Sequence, residues 1–479
     1  MTILRPLVHA TLALAVCTAA TGVFATDAAA QTKPNILYVM ADDLGWKDVG
    51  FHGSDIKTPS LDKLAAEGAR LEQYYAQPMC TPTRAALMTG RYPFRYGLQT
   101  VVIPSGHTYG LPTDEWLLPQ ALKEAGYQTA IIGKWHLGHG DQKYWPRQRG
   151  FDFQYGPLIG ELDYFTHEQH GVVDWFRDNN RVVEPGYTTT LLGNAAVKLV
   201  EVHDKATPLF LYLAFNAPHT PYQAPPEYLA RYASIADPSR RAYAASITAM
   251  DDQIARVLDA LEKQGMRDNT IVVFQSDNGG TRHAMFAGEL DMANVKIPCD
   301  NGPYREGKGT LYEGGTRVVA LANWPGHIKA EEVGGMIHVV DMYPTLAALA
   351  GATTAKANPL DGMDVWKTIS QGEASPRTEL IYNIEAFRAG VREGDWKMIW
   401  RTPLPSTVEL FNIAEDPSEK NNLAASYPNK VAALEQRANE LAASGVPSTL
   451  LKIEFGELTK RLKAPPALPG EDFDLDQEP

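Results

Sequence analysis

An α/β fold built on a parallel or mostly parallel sheet follows from three features of the sequence. Short apolar runs alternate with longer helical patterns, the runs are apolar almost throughout, and polar residues follow soon after each. The runs are NILYVMA (35–41), QTAIIG (128–133), PLFLYLAF (208–215) and TIVVFQS (270–276). A continuous apolar run of that length reads as a strand buried on both faces, which puts helices on both sides of the sheet. SLDKLAAEGARLEQYY from Ser60 and SRRAYAASITAMDDQIARVLDALEKQG from Ser239 have the pattern of such helices. After the first run come Asp42 and Asp43, after the second Lys134 and His136, after the third His219, and after the fourth Asp277 and Asn278. Open α/β sheets bind ligands outside the carboxyl ends of their strands, so one rim collects all these groups. That arrangement predicts an enzyme.

The texture changes near residue 370. ELIYNIEAFRAGVREGDWKMIWRT and STVELFNI read as short, partly alternating strands, and PNKVAALEQRANELAASG as a helix ending at Gly445. This predicts a smaller C-terminal α+β domain with an antiparallel sheet over 371–465, after a catalytic domain over 31–370. APPALPGEDFDLDQEP closes the chain, and 466–479 is expected to be an extended acidic tail. At the other end, Arg5 precedes LVHATLALAV and small residues follow in ATDAAAQ, the pattern of a secretory signal peptide over 1–30. That apolar stretch is too short to span a bilayer, so no membrane span is expected, and the destination is periplasmic or secreted.

The chain has 479 residues, 44% of them hydrophobic, and a net charge of −13. The acidic balance argues against a nucleic-acid or anionic-membrane surface. Beyond residue 30 only Cys80 and Cys299 remain, too few for a disulfide-built domain, although one bridge between them stays open. Asp42, Asp43, Asp277 and Asn278 offer hard oxygen ligands suited to calcium or magnesium rather than zinc. HEQH (167–170) lacks an acidic third ligand and reads as loop histidines. Cys80 can be a buried small hydrophobe, half of a disulfide or a thiol nucleophile. TRAALM (83–88) can begin a helix, which puts Cys80 near a helix N-terminus, with Arg84 as a positive fork for a tetrahedral oxyanion. A bare thiolate sits poorly among hard oxygen ligands.

CTPTRAALMTGR resembles the signature of the type I sulfatases, in which the cysteine of C-x-P-x-R is oxidised to Cα-formylglycine. Further blocks of that family appear in order: NILYVMADDLGWKDVGFHG, GKWHLG, APHTPY, SDNGG and GKGTLYEGGTR. LLPQALKEAGYQTAIIGKWHLG and LDGMDVWKTISQG look most like the arylsulfatase B (N-acetylgalactosamine-4-sulfatase) branch. The resemblance implies an alkaline-phosphatase-like fold. It also implies Ca2+ held by Asp42, Asp43, Asp277, Asn278 and an oxygen of modified Cys80, and a formylglycine-generating enzyme as maturation partner. The substrates implied are aryl sulfates and sulfated carbohydrate, with terminal N-acetylgalactosamine 4-sulfate the leading choice. In that scheme one hydroxyl of the residue-80 hydrate attacks sulfur. Arg84 and Lys134 steady the hydrate, and Lys134 and Lys308 neutralise the sulfate. His219, with Lys308, protonates the leaving oxygen, and His136 takes a proton from the second hydroxyl. The segment TRHAMFAGELDMANVKIPCDNGPYRE departs from the arylsulfatase B pattern and is expected to border the pocket mouth. A phosphate or phosphonate monoester hydrolase of the same superfamily is the alternative, and a non-catalytic sulfated-glycan-binding protein a remote third.

Overall fold

The apolar runs become the middle of a ten-stranded sheet in the computed structural model, which describes residues 33–282, 297–402 and 405–463. The expected signal peptide lies outside the described residues, as does the acidic tail. Five parallel strands stand side by side in the order Thr270–Ser276, Asn35–Ala41, Leu209–Ala214, Gln128–Gly133, Phe153–Gly156. Alternate residues of the central strand enter opposite cores. Ile36, Tyr38 and Met40 pack on one face, and Leu37, Val39 and Ala41 on the other. Helices Thr188–Val202 and Pro238–Lys263 cover the second face through Leu192, Ala196, Tyr243, Ile247 and Ile254. Helices Cys80–Thr89, Leu118–Glu124 and Met342–Leu349 cover the first. Both faces are therefore covered, as unbroken apolar strands require.

Antiparallel pairing widens the sheet at its margins. Ala320–Asn323 runs antiparallel to Thr270–Ser276 and to Ala69–Leu71, and the hairpin Phe176–Arg177/Asn180–Arg181 closes the other side. The helix expected from Ser60 through Tyr75 is shorter than its pattern, spanning Pro59–Ala66. A Cβ on Gly68 would stand 2.4 Å from the Ala322 carbonyl oxygen, so glycine lets the backbone turn in close and form strand Ala69–Leu71. Among the described residues no helix is long and apolar enough to cross a membrane.

The C-terminal strands Glu379–Ile384, Arg388–Glu393, Trp396–Arg401 and Thr407–Asn412 form an antiparallel meander. Helix Pro428–Ala443 follows, burying Leu434, Ala438 and Leu441, and the chain continues into helix Thr449–Lys463. One buried lysine ties this sheet to the rest. Lys397 Nζ lies 2.9 Å from Glu313 Oε1 and 2.9 Å from Glu419 Oε1, with all three side chains wholly buried. Tyr75 and Tyr382 hydroxyls donate to Glu313 at 2.8 and 3.0 Å. Burial pushes Glu313 up, but Lys397, Arg317 and Arg392 outweigh it and hold the carboxyl down at about 2. Removing one partner of a buried ion cluster strands the other charges without water. Lys397→Met is therefore expected to lower unfolding free energy by about 3–5 kcal/mol in urea denaturation.

Candidate active site

The five parallel strands end on one edge, and the predicted residues meet there. Asp42 and Asp43 leave the central strand, and Asp277 and Asn278 leave its neighbour. Two of the residues after strand ends adopt left-handed backbone, Asp43 at φ 63° and His136 at φ 57°. Non-glycine residues enter that region infrequently, and here it aims side chains that a regular strand would turn away.

The carboxylates alternate with cations. Arg84 Nη2 donates to Asp277 Oδ2 at 2.8 Å, Nε to the same oxygen at 3.1 Å, and Nη1 to the Lys134 carbonyl at 3.0 Å. Lys134 Nζ donates to Asp42 Oδ2 at 2.5 Å. Lys308 Nζ donates to Asp43 Oδ2 at 2.8 Å and lies 3.0 Å from His219 Nε2. Asn278 Nδ2 donates to Asp43 Oδ1 at 2.8 Å, and Thr281 Oγ1 to Asp43 Oδ2 at 3.1 Å. Burial raises Asp43, yet Lys308 and His219 overcome it and hold this carboxyl well below the usual carboxylate range. Asp277 goes the other way, to about 6, through burial and the charge of Asp42, against the pull of Arg84.

This cluster suits a hard cation. Ligand-capable atoms of Asp42, Asp43, Cys80 and His219 converge within 4.8 Å of one another. Asn278 Oδ1 is buried with no hydrogen-bond partner, an oxygen left for something else to use. Carboxylate and amide oxygens match calcium or magnesium, and His219 is already engaged by Lys308 and by the Thr220 carbonyl at 2.7 Å from Nδ1. With Nδ1–H given to that carbonyl, Nε2 carries the lone pair that faces Lys308.

Cys80 is the first residue of its helix, which begins three residues before TRAALM, and its Sγ lies 3.5 Å from Asp42 Oδ1. Burial and Asp277 raise its thiol far above the ordinary range, so a free thiolate is disfavoured here. Cys80 and Cys299 are both free and buried, which removes the bridge between them. Within HEQH, His167 stacks on Trp175 and bonds the Gly186 carbonyl at 3.0 Å, a packing role. Of the segment 281–306, residues 283–296 lie outside the described residues.

A cavity of about 300 Å³ opens onto the cluster, lined among others by Cys80, His136, Gly160, Glu161, His219 and Lys308. A larger hollow of about 1090 Å³ lies between helix Thr449–Lys463 and Phe94 and Ile384, but none of the predicted site residues reaches it. The smaller cavity reaches the charged cluster through Cys80, His219 and Lys308. Gly160 and Glu161 are absent from the sequence reading, Gln169 entered it only inside HEQH as a loop, and Thr281 only as the first residue of the segment expected at the pocket mouth.

His136 lies against Gly160. Its Nδ1 is buried without a partner, and burial with Lys134 and Arg84 keeps the ring well below its usual pKa, hence neutral. A Cβ on Gly160 would stand 2.2 Å from His136 Cε1. Gly160→Ala should displace the imidazole and lower kcat about a hundredfold, with thermal melting showing a folded protein.

Comparison with known proteins gives the family. The family model described as Sulfatase matches residues 34–352. Arylsulfatase J of Mus musculus is 36% identical, covering 88% of this chain and 77% of its own. N-acetylgalactosamine-6-sulfatase of Rattus norvegicus is 34% identical over 77% of this chain and 72% of its own. The solved structure of Ps i-CgsB in complex with k-i-k-neocarrahexaose superposes with a TM-score of 0.79 at 33% identity, covering 90% of this chain and 100% of that one. The phosphonate monoester hydrolase of Agrobacterium radiobacter, at 19% identity and TM-score 0.61, shares the fold alone. With metal-suited carboxylates, flanking cations and matched family blocks on one edge of this sheet, the chain belongs to the sulfatase family and hydrolyses sulfate esters.

Proposed function

We propose that this sulfatase works with residue 80 as formylglycine and with calcium held by Asp42, Asp43, Asp277, Asn278 and an oxygen of that residue. One observation carries the reading. The side chain of residue 80 lies 3.5 Å from an Asp42 oxygen, inside a ring of hard donors and cations that serves an oxygen nucleophile and not a soft thiolate. Calcium held by these residues would supply positive charge beside the residue-80 hydroxyl and lower its pKa. Arg84 and Lys134 hold the nucleophilic side chain in place, and Lys134 and Lys308 take up charge growing on the sulfate oxygens. Lys308 passes its proton to His219 Nε2, 3.0 Å away, and that nitrogen gives it to the departing oxygen. Neutral His136 accepts the proton released when sulfate is expelled.

The substrate proposed is the sulfate ester of a terminal sugar, with N-acetylgalactosamine 4-sulfate first. Support for the 4-position comes from the arylsulfatase B-like sequence blocks alone; a relative named N-acetylgalactosamine-6-sulfatase supports the sugar but not the position, and a neighbour solved with a neocarrahexaose supports carbohydrate. A cavity of about 300 Å³ sits at the small end of ligand pockets and suits one ring rather than a polymer run. The N-terminal sequence supports export to the periplasm or beyond, where polymers are broken down, after a formylglycine-generating enzyme has acted.

Mass spectrometry of the peptide containing residue 80 should show the mass loss of CH2SH becoming an aldehyde, and Cys80→Ser should fold but not turn over. An active preparation with only unmodified cysteine would refute the reading. In a leaving-group series, His219→Ala should harm a sugar sulfate about a hundredfold more than 4-nitrophenyl sulfate, whose phenolate departs with little help. Equal losses on the two esters would remove His219 from the acid role.

A further inference from the structure

The cavity has a second wall, unlike the cationic one. Glu161 and Gln169 belong to it, on the chain that follows strand Phe153–Gly156. Glu161 is half-buried, and its Oε1 accepts a hydrogen bond from Thr220 Oγ1 at 3.0 Å. Thr220 adjoins His219 and offers its carbonyl to that ring at 2.7 Å. The Glu161 carboxylate is thus fixed against the same turn that holds the imidazole. Gln169 ends the short strand Glu168–Gln169, paired antiparallel with Val172–Val173. Its Oε1 is buried and has no hydrogen-bond partner. This is the part of HEQH that faces the pocket, while His167 packs on Trp175.

A carboxylate is the wrong sign for holding a sulfate ester, and an unpaired buried amide oxygen is costly unless something completes it. Both acceptors suit a ligand that presents hydroxyl or amide N–H donors beside the ester. A sugar ring carries such donors, and the ring of a simple aryl sulfate does not.

We propose that Glu161 and Gln169 form a sugar-reading wall, accepting hydrogen bonds from donors on the ring that bears the ester. Glu161 also turns away rings that carry a second sulfate next to the first, through repulsion between like charges. This assignment rests on the carbohydrate reading above and names the groups that would enforce it.

The test compares kcat/KM of wild type, Glu161→Gln and Gln169→Leu on four esters. These are N-acetylgalactosamine 4-sulfate, its 6-sulfate isomer, the 4,6-disulfate and 4-nitrophenyl sulfate. Turnover of the aryl ester by the same preparations reports folding. Each substitution should lower the sugar-to-aryl ratio of kcat/KM about tenfold, chiefly through KM. Glu161→Gln should also narrow the preference for the monosulfated over the disulfated sugar. If activities on sugar and aryl esters fall together, leaving the ratio unchanged, the wall does not read sugar and the inference is overturned while the carbohydrate reading stands. If wild type prefers the aryl ester to every sugar, the carbohydrate reading fails and this inference falls with it.

Discussion

Three buried carboxylates, those of Asp42, Asp43 and Asp277, stand beside three buried cations at one edge of the sheet, and the rest of the architecture depends on keeping them there. Charges taken out of water are tolerated only when pairing and hydrogen bonding are nearly complete. A parallel sheet answers that demand because neighbouring strands all finish on the same side. Consecutive acidic residues can then be delivered from strands more than two hundred positions apart in the chain, as Asp43 and Asp277 are. Left-handed backbone at Asp43 and at His136 belongs to the same economy of space, since both follow strand ends and must turn sharply.

The C-terminal sheet takes part in this arrangement. Lys397 anchors Glu313, which lies five residues beyond Lys308. Arg388 donates to the Gly309 carbonyl, and the Gly309 amide donates to the Pro78 carbonyl at 2.8 Å. The lysine that meets Asp43 and the segment that leads into Cys80 are therefore held from behind by residues of the meander. A small sheet that contributes no ligand to the cation cluster still fixes where two of the site's side chains can be.

Much of this was legible in the amino-acid order, for reasons that differ by residue. Strands buried on both faces write themselves as unbroken apolar runs, so Asn35–Ala41 and Thr270–Ser276 could be read with their ends. Phe153–Gly156 could not, because its four residues, FQYG, are too few to stand out as an apolar run. The stretch after Ala66 has a helical pattern but answers to Ala320–Asn323, a partner some two hundred and fifty residues away. Within the site, Cys80, Arg84 and Lys308 sit in recognisable blocks. Gly160, Glu161 and Gln169 do not, since their importance lies in what they touch across space: an imidazole, a threonine hydroxyl and an open cavity.

The burial of residue 80 imposes an order of events. At 1% exposure, in the first turn of a helix whose every residue is buried, its backbone is closed to any other protein once folding is complete. An enzyme that carried out the proposed modification would have to reach this segment before the helix packs. Under the proposed formylglycine chemistry, maturation and folding then compete, and a molecule that folds first keeps its thiol and stays inert. In a heterologous host the fraction of active protein would report the outcome of that competition more than the stability of the fold.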